Sequence, residues 1–138
     1  MAREAWLAER RRGIGGSDAA AIAGLSKWRS PMAVWLEKTG QVEPEEPGEA
    51  ALWGTKLEDV VARHFAEATG FKVQRCNAIL QHPERPWMLA NIDRYVLDPA
   101  RGRGLLEVKT TNAWNHDASE DKAPDHYLIQ VHHYLAVT

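Results

Sequence analysis

The stretch Trp87-Met-Leu-Ala-Asn-Ile-Asp-Arg-Tyr-Val-Leu97 and the stretch Gly104-Leu-Leu-Glu-Val-Lys-Thr-Thr111 both have the composition of β-strands. The segment between them, Asp98-Pro-Ala-Arg-Gly-Arg-Gly104, contains one Pro and two Gly, which is typical of a turn. Two strand-like runs joined by a short connection that contains Gly predict a β-hairpin.

Three charged residues of this hairpin are candidates for a catalytic site. Glu107 and Lys109 lie two residues apart, so their side chains share one face of a strand. The hairpin places Asp93 roughly opposite them on the neighbouring strand. Two carboxylates and an ammonium group so arranged can hold a divalent cation and position a water molecule, as hydrolysis of a phosphodiester requires. The alternative is an exposed strand that alternates apolar and charged residues.

Length and composition limit the class of protein. The 138 residues are enough for one domain with a buried core, and 44% hydrophobic and 26% charged residues are ordinary for a soluble globular protein. The single Cys76 excludes an internal disulfide framework and a four-Cys zinc site. The charged N-terminus and the lack of a long apolar run predict a reducing, cytoplasmic compartment. The net charge of −2 provides no global attraction to nucleic acid.

Capping residues and periodicity predict the order of the elements. Ser30 and Pro31 are typical of a helix start, and Gly70 of a helix end. Helices are predicted at 2–12, 17–23, 31–39, 50–69 and from 124 onward; a further strand is predicted at 71–80, and a polar loop at 112–123. Helices followed by strands and a final helix predict an α/β or α+β fold. The chain stops inside an apolar segment, so we expect a C-terminally truncated piece of a longer protein.

Two further polar residues lie on helix faces that we expect to be partly buried. Glu58 shares one side of its helix with Val61 and Phe65, where a carboxylate needs a basic partner or a metal ion. The alternative is a boundary Glu that reaches solvent. Gln130 lies between Tyr127 and Tyr134 on the last helix. Its amide could orient a water molecule or a catalytic Lys, or it could be a hydrogen-bonding residue at a packing boundary.

The segment Gly13-Ile-Gly-Gly-Ser-Asp18 precedes a predicted helix and is a candidate anion site. Small residues expose backbone N–H groups at a helix start, and these favour phosphate. Ser17 and the guanidinium groups of residues 10–12 could add donors. The Gly-Lys-Ser/Thr ending of a Walker loop is missing. The alternative is an ordinary N-cap formed by Ser17 or Asp18.

Several ordered blocks together resemble the YqaJ-type viral recombinase family, the lambda-exonuclease-like branch of the PD-(D/E)XK nuclease superfamily. The blocks cover nearly the whole chain: Arg10-Arg-Arg-Gly-Ile-Gly-Gly-Ser-Asp-Ala-Ala20, Trp35-Leu-Glu-Lys-Thr-Gly40, Trp53-Gly-Thr-Lys-Leu-Glu58, His82-Pro with Asp93, Leu106-Glu-Val-Lys-Thr110 and Gln130-Val-His-His-Tyr-Leu135. The resemblance implies a restriction-endonuclease-like core, with a central mixed β-sheet flanked by helices. It also implies a single nuclease domain over 1–138, with a helical phosphate-pocket region at 1–49 and a catalytic core at 50–138.

The same resemblance implies an activity, a cofactor and partners. Members hydrolyse DNA with Mg²⁺ or Mn²⁺, commonly as 5′-to-3′ exonucleases on double-stranded ends. The implied partners are DNA ends, a single-strand annealing protein and other copies of the chain in a ring-shaped trimer. Two alternatives stay open: a related nuclease that cuts single strands or internal sites, and a non-catalytic DNA-binding or assembly fragment.

Site residues carry over by position from the resemblance. Asp93 and Glu107 would bind the metal ion, assisted by the backbone carbonyl of Val108 and by Glu58. Lys109 would position or activate the attacking water and stabilise developing negative charge. Gln130 matches an active-site Gln of the family. Ser17, with Arg10 or Arg12, matches a pocket for the 5′-phosphate.

Overall fold

The computed structural model describes residues 3–111 and 122–138, and it confirms a mixed α/β chain. The described helices are α1 (Arg3–Arg11), α2 (Gly16–Ile22), α3 (Pro31–Lys38), α4 (Glu49–Thr69) and α5 (Asp125–Val137). The described strands are β1 (Lys72–Arg75), β2 (Leu80–Gln81), β3 (Leu89–Ala90), β4 (Arg94–Asp98) and β5 (Gly102–Leu106). Most of the loop predicted at 112–123 lies outside the described residues.

Local capping signals determine where two of the helices begin and end. Helix α3 begins at Pro31, and the Ser30 hydroxyl accepts a hydrogen bond from the Ala33 N–H at 3.1 Å. Helix α4 ends before Gly70, which has a φ of 71°. A residue with a side chain is disfavoured in this left-handed conformation, so glycine is suited to the position. Both predicted caps are confirmed.

The predicted hairpin is confirmed, with shorter strands than expected. Strands β4 and β5 are antiparallel, with a register that runs from Asp98 opposite Gly102 to Arg94 opposite Leu106. In the turn, the Asp98 carboxylate accepts the N–H of Ala100 at 2.8 Å. Strand β5 ends at Leu106, one residue before Glu107, so the candidate residues lie just beyond the regular strands.

Two of the three predicted strands are each divided between two sheets. The run predicted at 71–80 forms β1, which pairs with β4, and the first residue of β2, which pairs with β3. The run from 87 to 97 changes pairing partner across residues 91–93 and therefore forms β3 and β4. The prediction of one continuous strand for each run was wrong, because the apolar content of a run does not show which strand it pairs with.

Both described sheets are antiparallel, with strand orders β1-β4-β5 and β2-β3. Parallel pairing within the described residues is limited to a bridge between Ile14 and Met88. The described strands therefore do not form the central mixed sheet expected from the resemblance, and the PD-(D/E)XK core stays a prediction.

The chain divides into two compact units. The first unit comprises Met1–Pro44, Ala78–Asn91 and Ala123–Thr138, and the second comprises Glu45–Asn77 and Ile92–Lys122. In the first unit, α2 packs against α3 and α5, around a core of Ala20, Ala21, Val34, Leu89, Ala90, Tyr134 and Val137. In the second unit, α4 packs against β1, and the buried apolar residues are Ala62, Ile92 and Val96. None of the described helices is long and apolar enough to cross a membrane.

Candidate active site

The structure brings the predicted triad of Asp93, Glu107 and Lys109 together in the second unit. The β4–β5 register ends with Arg94 opposite Leu106, so the next residues outward, Asp93 and Glu107, come face to face. The Asp93 carboxyl group lies close enough to Glu107 to contribute to the raised pKa of that residue. Lys109 Nζ lies 2.6 Å from Glu107 Oε1. The predicted convergence of two carboxyl groups and one ammonium group is therefore present in the geometry.

The backbone at Val108 fixes the orientation of Asp93. Its N–H donates a hydrogen bond to Asp93 Oδ2 at 2.8 Å. This bond ties the loop after β5 to the residue that precedes β4. The Asp93 carboxyl group is consequently held from one side by backbone and lies against Glu107 on another.

Burial and mutual repulsion alter the acidity of both carboxyl groups. Burial raises the pKa of Glu107 to about 7; the charge of Lys109 acts against this rise, and the nearby Asp93 adds to it. Burial also raises the pKa of Asp93, with the Val108 N–H opposing the rise and the charge of Glu58 contributing to it. Two adjacent buried carboxyl groups are stabilised by a shared proton or by a bound cation. Carboxylate oxygens are the ligands that Mg²⁺ and Mn²⁺ prefer, so this donor set fits such an ion.

Glu58 has a basic partner, as predicted for a carboxylate on a partly buried helix face. Its Oε1 lies 2.5 Å from Nη1 of Arg94, and its side chain is 30% exposed. Among residues 3–111 and 122–138, no group of three or more His, Cys, Asp or Glu side chains is arranged to hold a metal ion. The pair of Asp93 and Glu107 is therefore the candidate ligand set, and a contribution from Glu58 stays a prediction.

Arg94 is the site residue that the sequence reasoning missed. The residue is only 4% exposed. Its Nη1 also donates to the Asp93 carbonyl oxygen at 2.7 Å, and its Nη2 lies 3.3 Å from Asp59 Oδ1. A signal was available in the sequence, because Arg94 alternates with the apolar Ile92 and Val96 and therefore shares their face of the strand. In the structure all three residues are buried. A charged residue in the apolar phase of a strand indicates a buried ion pair.

Gln130 is buried in the first unit, at 7% exposure. Its amide nitrogen donates to the Tyr134 hydroxyl at 2.9 Å. Helix α2 packs closely here, since a Cβ on Gly16 would come within 2.7 Å of Gln130 Cγ. The structure thus confirms a packed, hydrogen-bonded Gln130. Its action beside the triad, which belongs to the second unit, stays a prediction.

Two residues of the predicted phosphate pocket lie close together in the first unit. Arg10 Nη2 lies 3.5 Å from Ser17 Oγ, and the Arg10 guanidinium group lies 4.6 Å from the centre of the Trp6 ring. Arg12 is paired instead with Glu9 at 3.0 Å. Of the two candidate arginines, Arg10 is the one that the structure places beside Ser17.

Asp18 has a different role from the N-cap considered above. The N-cap of α2 is Gly15, and Asp18 Oδ2 accepts its N–H at 2.9 Å. The Asp18 side chain is fully buried and contacts Arg29 at 2.9 Å and Lys38 at 2.8 Å. Burial by itself would raise the pKa of Asp18, but the hydrogen bonds from Lys38, Gly15 and Arg29 outweigh it and hold that pKa below its usual range.

The amino-acid sequence is similar to a known protein family and to two known proteins. The model of the YqaJ-like viral recombinase domain matches residues 5–138. The chain is 50% identical over 139 residues to the uncharacterized protein YqaJ of Bacillus subtilis, covering 99% of this chain and 43% of that protein. It is 24% identical over 161 residues to a protein of African swine fever virus, covering 98% of this chain and 45% of that protein. The chain thus spans less than half the length of these two relatives.

Proposed function

We propose a nuclease function for this chain, which belongs to the YqaJ-like viral recombinase domain family. The function is metal-dependent hydrolysis of DNA in phage-type recombination, with 5′-to-3′ exonuclease action on double-stranded ends. The observation that carries the proposal is the contact of Asp93 with Glu107, with Lys109 Nζ 2.6 Å from Glu107 Oε1. This is the combination of charges that hydrolysis of a phosphodiester requires.

Each residue of the triad has a chemical role in this proposal. Asp93 and Glu107 would hold Mg²⁺ or Mn²⁺, with the Val108 carbonyl oxygen as a further ligand. Such an ion, when bound, would supply Lewis-acid polarisation of the phosphate and a lower pKa for a bound water. Lys109 lies against Glu107, where its ammonium group can orient the attacking water and stabilise the negative charge that develops on the phosphate.

The residues of the first unit supply recognition of the DNA end. Arg10 and Ser17 offer a guanidinium group and a hydroxyl group, which together suit the 5′-phosphate of a strand end. A role of the Gln130 amide in orienting the nucleophile is part of the proposal and rests on the family resemblance. Activity of the whole protein, assembly into a ring trimer and a single-strand annealing partner are further parts of the proposal, since the relatives are more than twice as long as this chain.

The test is degradation of linear duplex DNA by the purified protein with Mg²⁺ and with EDTA. Asp93→Asn and Lys109→Met should each lower the rate by about 100-fold or more, because each removes an interaction made with the reacting phosphate or the water. Matched controls are Asp125→Asn and Lys72→Met, which change the same residue types at exposed positions. Unchanged activity of Asp93→Asn or Lys109→Met contradicts the site assignment.

Substrate choice separates the proposed exonuclease from its alternatives. Linear duplex with a 5′-phosphate should be degraded, whereas closed circular duplex should persist. Ser17→Ala should reduce the preference for a 5′-phosphate over a 5′-hydroxyl end. Cleavage of circles or of single strands identifies a nuclease of another specificity. DNA binding without any Mg²⁺-dependent product identifies a binding or assembly module.

A further inference from the structure

Lys38 belongs to a sequence block to which the proposed function assigns no role, Trp35-Leu-Glu-Lys-Thr-Gly40. It is the last residue of α3, and its side chain is only 16% exposed. Its ammonium group lies 2.8 Å from Asp18 Oδ2 and donates a hydrogen bond to the Arg10 carbonyl oxygen at 2.7 Å. One largely buried cation of α3 therefore contacts both the last turn of α1 and the first turn of α2.

These two helix ends carry the two groups of the proposed phosphate pocket. Arg10 lies in the last turn of α1, and Ser17 lies in the first turn of α2, directly before Asp18. The separation of 3.5 Å between Arg10 Nη2 and Ser17 Oγ therefore joins two different helices. Such a separation depends on contacts that fix one helix end against the other, and the Lys38 ammonium group makes contacts of this kind.

Asp18 gives Lys38 a rigid point of attachment in α2. The Asp18 side chain is fully buried, and its Oδ1 contacts Arg29 Nη1 at 2.9 Å. Its Oδ2 accepts the Gly15 N–H at 2.9 Å in addition to the contact with Lys38. A buried carboxylate that moved away from these three donors would lose charge-assisted hydrogen bonds without regaining water. The backbone of the neighbouring Ser17 is therefore held in place as well.

The cluster around Asp18 is electrically balanced. Its members are two carboxylates and two cations, which are Asp18, Glu37, Arg29 and Lys38. Arg10 contacts this cluster through its carbonyl oxygen, while its guanidinium group lies near a hydroxyl group and an aromatic ring. Within residues 3–111 and 122–138, no carboxylate is paired with Arg10. Lys38 can therefore fix the position of Arg10 while the charge of Arg10 stays available to an anion.

We propose that Lys38 is a positioning residue that joins the end of α1 to Asp18 and so sets the preference of Arg10 and Ser17 for a terminal phosphate. The inference rests on the proposed function, since it takes the 5′-phosphate of a DNA end as the ligand of these two residues. Lys38 acts through Asp18 and the Arg10 backbone and does not touch the ligand. Donors that are already held at a fixed separation lose less conformational entropy when a ligand binds.

The experiment compares the affinities of the protein for two DNA hairpins, each with one blunt end, that differ only in a 5′-phosphate or a 5′-hydroxyl at that end. Fluorescence anisotropy in EDTA measures both affinities independently of hydrolysis. The ratio of the two affinities reports on the terminal phosphate, because contacts with the rest of the duplex cancel. The wild type should favour the phosphorylated end by at least about tenfold, since charge-assisted hydrogen bonds form only with the phosphate.

Two substitutions of Lys38 separate its position from its charge. Lys38→Met removes both contacts and should lower the affinity ratio at least about fivefold. Lys38→Arg keeps a positive charge opposite Asp18, but its longer, planar group does not place one nitrogen on both acceptors, so the ratio should fall at least about threefold. Val34→Ala, a destabilising change in the buried part of α3, and Lys72→Met, an exposed change, should keep the ratio within about twofold of the wild type. A loss of folded protein affects both DNAs equally and leaves the ratio unchanged.

The outcomes distinguish this inference from the function on which it rests. Circular dichroism identifies the folded variants, and if Lys38→Met is unfolded, Lys38→Arg decides the question. A folded Lys38 variant that keeps the wild-type ratio within about twofold, while Ser17→Ala or Arg10→Met abolishes the preference, refutes the role of Lys38 and leaves the pocket in place. A wild-type ratio near one, or no effect of Arg10→Met and Ser17→Ala, refutes the pocket and the inference together. The hydrolytic site is tested separately by the Asp93 and Lys109 variants.

Discussion

Replacing Glu107 with Gln should change how the stability of the metal-free protein depends on pH. The folded environment raises the pKa of Glu107 from 4.5 to about 7, mainly through burial. Between these two pH values the folded state holds a proton that the unfolded state has released. Stability that is present below pH 4.5 is therefore lost as the pH rises through 7. The shift corresponds to about 3 kcal/mol of unfolding free energy.

The assay is urea unfolding in EDTA at several pH values between 4.5 and 8.5. Gln is neutral throughout this range and has nearly the shape of a protonated Glu. The two proteins should therefore be similarly stable near pH 4.5, and Glu107→Gln should be the more stable by about 3 kcal/mol at pH 8. Titration of other groups affects both proteins and largely cancels in the difference. Glu67→Gln, an exposed change on α4, should follow the wild type at every pH.

Two results would refute this reasoning. A difference between Glu107→Gln and the wild type that stays constant within about 0.5 kcal/mol across the pH range means that Glu107 is not a buried acid pressed against Asp93. The second result concerns Mg²⁺. Added at millimolar concentration, it should stabilise the wild type more at pH 8 than at pH 5, because the ion competes with the proton for the same oxygens. Equal stabilisation at both values contradicts a shared site.

Three further predictions concern the framework of the site. Asp18→Asn should lower the unfolding free energy by about 3 kcal/mol, because it leaves two cations without their buried carboxylate; Glu9→Gln, in an exposed pair, should cost less than about 1 kcal/mol in the same urea assay. Gly16→Ala places a Cβ 2.5 Å from Tyr134 Cε1 and should cost about 1–3 kcal/mol, whereas Gly104→Ala, with no atom within 4 Å, should stay within about 0.5 kcal/mol. Gly70→Ala forces a side chain into a φ of 71°. This change should lower the unfolding free energy by about 1 kcal/mol and the melting temperature with it. An unchanged melting temperature contradicts the left-handed cap.

The helices and the hairpin were predictable because their signals are local. Ser30 followed by Pro31 marks the start of α3, and Gly70 marks the end of α4. The turn at 98–104 brings Asp93 opposite Glu107 through strand register alone. The Glu107–Lys109 pair needs only a separation of two residues in extended backbone. These parts of the site depend only on spacing within a single hairpin of the chain.

Strand pairing could not be predicted in the same way. An apolar run from 87 to 97 has the same composition whether it pairs along its length with one strand or divides between two. Its change of partner at residues 91–93 depends on which segments are available nearby in the folded chain. Composition records the burial of a segment but does not record its partner.

The amino-acid sequence by itself determined the helices, the hairpin and the meeting of Asp93, Glu107 and Lys109, since each follows from spacing within a short segment. Only the tertiary structure decided the partners of the buried charges. Arg94 reaches Glu58 across 36 positions of the chain, and Lys38 reaches Asp18 across a turn between two helices. A charged residue in a sequence is by default exposed, and it can be buried only where a distant partner of opposite charge compensates for the loss of water.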